Sequence, residues 1–133
     1  MLSARPASIR GAAITVAHGL VGWALCGATM AIGMKATTLG VALIIHAVAA
    51  PLVFMAVAFA YFRRMDSWPP FRTTTVFVGV VFAMDVLVVA FAVQRSFAMF
   101  GSILGTWLPF LLIFLSTWWT GLAVHRASRR RPA

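Results

Sequence analysis

The chain has 133 residues, of which 62% are hydrophobic and 10% charged, and its mean hydropathy is +0.98. A soluble fold of this size has too little interior to hide that much apolar surface, which excludes a water-soluble domain. The net charge of +9 would suit a phosphate backbone in a soluble protein, but the basic residues stand only at the ends of apolar stretches. They are therefore read as topology signals and contacts for anionic lipid head groups, with no nucleic acid as partner.

Taken in chain order, Arg5 and Arg10 precede an apolar run over about 12–34. A secretory signal has a hydrophobic middle of roughly 7–15 residues, so this longer run is read as a retained first helix. Further runs over 38–62, 73–94 and 100–124 are each long enough to cross a hydrocarbon layer of about 30 Å, for which roughly 20 apolar residues suffice. A basic tail follows over 125–133. The expected fold is all-α: one polytopic four-helix transmembrane domain over 1–133, arranged up-down-up-down.

Short connections at 35–37 and 95–99 make helices one and two, and three and four, antiparallel neighbours. The connection over 63–72 is longer, and Asp66, Ser67, Trp68, Pro69 and Pro70 keep it from being helical throughout. Asp66, beside Arg63 and Arg64, reads as a local ion-pair partner.

Nine basic residues (Arg5, Arg10, Arg63, Arg64, Arg72, Arg126, Arg129, Arg130 and Arg131) fall on one side of this arrangement, and two (Lys35 and Arg95) on the other. By the positive-inside rule both termini and the middle connection are cytoplasmic, in a cell inner (plasma) membrane of bacterial type. Arg126, Arg129, Arg130 and Arg131, with Trp68 and Trp107 at the two boundaries, are the expected lipid anchors. Trp118 and Trp119 lie deeper, so at least one is expected to face a neighbouring helix.

Pro51 and Pro109 lie inside the second and fourth spans, where each removes a backbone donor and allows a kink. The pattern hints at a duplication of helix pairs, but no residue-level repeat accompanies it.

The strongest chemical feature is Asp85, in FVGVVFAMDVLVVAFAV, the one charged residue of its span. A carboxylate at lipid depth costs ~2.5–3.5 kcal/mol and persists when paired, protonated or facing a polar cavity. His46 in helix two falls at a depth that lets it approach Asp85, and an Asp and a His on facing helices can share a proton. The pair is read as a proton, ion or substrate site. The competing reading has Asp85 bonded to a serine, threonine or tryptophan of another helix and fixing the packing.

Helix one offers a second set, His18, Cys26 and Met30, whose imidazole, thiol and thioether are soft donors suited to monovalent copper. Packing of small and flexible residues is the simpler explanation. Haem is the other cofactor to consider, but His18 and His46 lie at different depths, against a bis-histidine haem within one subunit. No cofactor is assigned. Gly19, Gly22, Gly27, Ala24, Ala28 and Ala31 make helix one a close-packing helix, inside the bundle or between subunits.

No phosphate-binding loop, HExxH, nucleophile elbow or carboxylate pair is present, so the chain does not read as an enzyme. Three functions remain: an oligomeric channel or transporter using Asp85 and His46, a non-catalytic subunit or assembly factor of a larger membrane complex, and a haem or copper protein.

Overall fold

The computed structural model describes residues 8–65 and 68–132. Four helices dominate: α1 (Ile9–Ala36), α2 (Leu39–Arg64), α3 (Pro70–Met84) and α4 (Leu108–Arg129), with no strand among the described residues. A π-helical segment, Asp85–Gln94, extends α3, and another, Ile103–Trp107, leads into α4. The four spans are long and apolar enough to cross a membrane, as in a multi-pass membrane protein. Arg5 and Asp66 lie outside the described residues.

Helix starts follow local chemistry. Ser8 accepts a hydrogen bond from the Gly11 amide at 3.1 Å, and Thr38 accepts one from Val41 at 3.4 Å, each satisfying an orphan donor of a first turn. Pro70 opens α3, where a missing N–H costs nothing. The π-helical segment ends at Arg95, which adopts a left-handed φ of 50°. The basic stretch expected to be a tail is partly helical: α4 continues through His125 and Arg126 to Arg129, placing cations at the negative end of the helix dipole.

The helices form a square in which α1 touches α2 and α3, and α4 touches α2 and α3. The sequence neighbours joined by short connections are indeed adjacent, whereas α2 and α3 sit on a diagonal. Parallel pairs, α1 with α3 and α2 with α4, therefore make up the other two sides.

Aromatic rings fill the centre. Phe54 and Phe77 are fully buried with ring centroids 6.2 Å apart, and Tyr61 meets Phe77 edge-on at 5.7 Å. Bulk at the centre is accommodated by absence of bulk opposite. A Cβ on Gly22 would lie 2.5 Å from Phe54 Cζ, and one on Gly121 would lie 2.7 Å from Pro70 Cβ and 2.8 Å from Phe62 Cε2. By contrast Gly27 has nothing within 4 Å, and Ala24, Ala28 and Ala31 are exposed. The small residues of α1 thus divide between an inner face and an outer one. Pro51 lies within α2, while Pro109 falls in the first turn of α4, directly after the π-helical turn.

In SDS-induced unfolding of the detergent-solubilised protein, Gly22→Ala is expected to destabilise by about 1–3 kcal/mol through overpacking against Phe54. Gly27→Ala, whose added methyl meets no atom of its own chain, should leave the stability of the single chain unchanged or raise it by up to about 1 kcal/mol. Equal effects at the two positions would contradict this packing.

Candidate functional site

The site begins where α3 changes pitch. Asp85 is the first residue of the π-helical segment, and its amide donates to both Phe82 and Val81 carbonyls. Single-turn π-bulges inside α-helices are frequent at functional sites; here the π-helical pitch begins at Asp85 and continues for ten residues to the end of the span. From this position Asp85 reaches α1, where Trp23 donates its indole N–H to Asp85 Oδ1 at 2.9 Å. The depths agree: at 1.5 Å per residue Asp85 lies about 22 Å from Pro70, and Trp23 about 21 Å from Ile9.

One turn along α1, Cys26 is buried, and the Asp85 carboxyl is within its electrostatic reach. His46 of α2 approaches the backbone of the same Cys26, and its Nδ1 is buried without a hydrogen-bond partner. Asp85 and His46 therefore both adjoin one stretch of α1, but the hydrogen bond to Asp85 comes from Trp23, not from His46. His46 lies about 27 Å from Arg64 along α2, somewhat further from the arginine-rich end than Asp85.

His18 belongs to a different group. Its Nδ1 is 2.8 Å from the Ile14 carbonyl oxygen, and its ring meets Tyr61 edge-on at 5.3 Å. The Tyr61 hydroxyl shares a 2.8 Å hydrogen bond with Thr15, whose own hydroxyl also reaches the Gly11 carbonyl at 2.9 Å. Eight residues of helix separate His18 from Cys26, about 12 Å along the axis, so His18, Cys26 and Met30 do not converge on one ion. Among the described residues no group of three or more His, Cys, Asp or Glu is placed to hold a metal. His18 and His46 differ by about 13 Å in depth, which does not fit paired axial ligands of one haem within a subunit.

The arginine-rich half of the interior is unexpectedly hydroxylated. Thr73 and Thr74 of α3 and Thr117 of α4 are fully buried, and their hydroxyls have no partner. Thr15, Tyr61 and His18 lie in the same half of the bundle, on α1 and α2. Phe54, Phe77 and Val81 lie between the arginine-rich end and Asp85.

At the boundaries, the Trp107 indole N–H donates to the Phe100 carbonyl at 2.7 Å, and Arg72 stacks over Trp68 at 4.2 Å. Arg126, Arg129, Arg130 and Arg131 are all exposed at the end of α4. Trp118 meets Phe71 of α3 at 6.2 Å, whereas Trp119 points outward. Compared with protein-family models, characterised proteins and solved structures, the chain matches none.

Trp23, Tyr61 and Thr15 are the functional candidates that sequence reasoning did not single out. Trp23 carried a signal: an indole N–H at lipid depth needs an acceptor, and Asp85 lies at the same depth. In a double-mutant cycle of Trp23→Phe and Asp85→Ala, the expected coupling is about 0.6 kcal/mol and at most about 1.7 kcal/mol, the range of hydrogen bonds between membrane helices. Asp85→Asn should keep most of it, because the amide oxygen still accepts. Additive single effects would show that the bond contributes nothing to the fold.

Proposed function

We propose that the chain is a small multi-pass protein of a cell inner membrane, with both termini cytoplasmic, which moves protons, ions or a small solute through a homo-oligomer. The observation that carries this reading is Asp85: a half-buried carboxyl at lipid depth, placed where α3 changes from α- to π-helical pitch. Asp85 is the group that takes up and releases a proton, and His46 is its relay. Its unpartnered Nδ1 supports that role, as an imidazole nitrogen at this depth has use for a proton donor or acceptor.

The buried hydroxyls of Thr73, Thr74 and Thr117 support an access route from the arginine-rich end, closed by the Phe54–Phe77 pair. The outer small-residue face of α1 supports an oligomer, since Ala24, Gly27, Ala28 and Ala31 let a second helix approach closely.

The Trp23–Asp85 bond also favours a second reading, a non-catalytic subunit or assembly factor in which Asp85 only fixes helix packing. The two separate in proteoliposomes. Transport predicts that Asp85→Asn, which retains an acceptor for Trp23, folds normally but loses pH-dependent flux by tenfold or more, on the order expected for loss of a positioned proton carrier. Normal flux in a folded Asp85→Asn variant would remove the transport role. The subunit reading instead predicts a defined partner that co-purifies in mild detergent.

A further inference from the structure

A groove of about 790 Å³ lies on the outer surface between the parallel helices α2 and α4. Leu52, Met55 and Phe59 form one wall and Leu115, Trp119 and Ala123 the other. Ser116 and Thr120 also face it, but their hydroxyls donate to the Ile113 and Ser116 carbonyls of their own helix, at 3.1 and 2.7 Å. What remains for an occupant is hydrocarbon. From Leu115 to Ala127 the groove runs about 18 Å, slightly more than one leaflet's share of a ~30 Å hydrocarbon core.

One end of the groove is strongly basic. The α2 stripe Leu52, Met55, Phe59 continues one turn on to Arg63, whose guanidinium is held over the Phe59 ring at 5.2 Å. On α4, Arg126 stands one turn on from Ala123 and Arg130 one turn on from Ala127, both exposed. Neither helix carries an acidic residue. An apolar slot one leaflet deep, ending in three arginines, is complementary to one class of molecule.

We propose that the α2–α4 groove is a binding site for an anionic phospholipid, with one acyl chain lying along Phe59, Trp119 and Ala123 and the phosphate held by Arg63, Arg126 and Arg130. A partner helix or second copy would fill the slot equally well with apolar side chains, but would bring no anion to the arginines unless it carried acidic residues at that end. A second copy of this chain has none on α2 or α4. Arginine suits the phosphate through its planar, bidentate donor geometry.

The test is native mass spectrometry of the full chain released from detergent after titration with phosphatidylglycerol or phosphatidylcholine. Wild-type protein should retain one phosphatidylglycerol in strong preference to phosphatidylcholine. At about fivefold per arginine, the Arg63→Gln/Arg126→Gln/Arg130→Gln variant should bind phosphatidylglycerol roughly a hundredfold more weakly and lose the preference. Arg95→Gln, at the opposite end, should leave it intact. Ala123→Phe fills the groove from an exposed position and should weaken both lipids; if it misfolds by circular dichroism, Ala127→Phe serves the same purpose nearer the mouth. Equal retention of the two lipids by wild type would overturn the proposal. So would undiminished binding by a folded groove-filling variant, or a dimer that the groove-filling change dissociates.

Discussion

A carboxyl group at lipid depth has no water to satisfy it, so some part of the protein must. Here the hydrogen bond comes from Trp23, across the contact between α1 and α3. It ties α1 to α3 near mid-span, on a side of the square made by two parallel helices. Cys26 and His46 are drawn into the same neighbourhood because they lie one turn away on α1 and on the helix packed beside it. The indole is itself a group that needs an acceptor when buried, so each partner removes the other's desolvation cost.

Around this contact the packing is a matter of shape. Between lipid-exposed helices there is little hydrophobic drive, because the surrounding chains are as apolar as leucine; close approach and dispersion hold the helices together. Phe54 against Gly22, and Phe62 with Pro70 against Gly121, are the two places where a ring or pyrrolidine occupies the space a side chain would otherwise take. These contacts fix α1 on α2 and α4 on both α2 and α3. They also set the distance between α2 and α4 that leaves a slot on the outer surface. The same economy of bulk gives the bundle its dense aromatic centre and its open lipid-facing groove.

Much of the architecture was legible in the sequence because membrane spans are written in length and hydropathy. The four spans, the short connections and the break around Pro69 and Pro70 required only those signals. The helix ends differ by a few residues, as at α4, where arginines extend the helix by complementing its dipole. The square order was not legible: short connections fix which neighbours are adjacent, but not which pair of helices lies on the diagonal. The π-helical pitch from Asp85 onward left no mark in a run of valine, leucine and alanine. Asp85 itself stood out as a lone charge, while Trp23 did not, because aromatic residues are common in such helices and only a comparison of depths joins the two. The soft-donor set of α1 shared spacing but not a centre, since His18 packs against Tyr61 and lies about 12 Å along the helix from Cys26.

Asp85 can carry protons only if it changes its protonation in place. Infrared difference spectroscopy of the reconstituted protein between about pH 4 and 10, the range around ordinary carboxyl and imidazole titration, reads this directly. A carboxylic-acid carbonyl band that exchanges for a carboxylate band across this range, and is missing in Asp85→Asn, is the predicted result. A carboxyl that stays in one state from end to end would contradict the account and leave Asp85 as a packing residue held by Trp23.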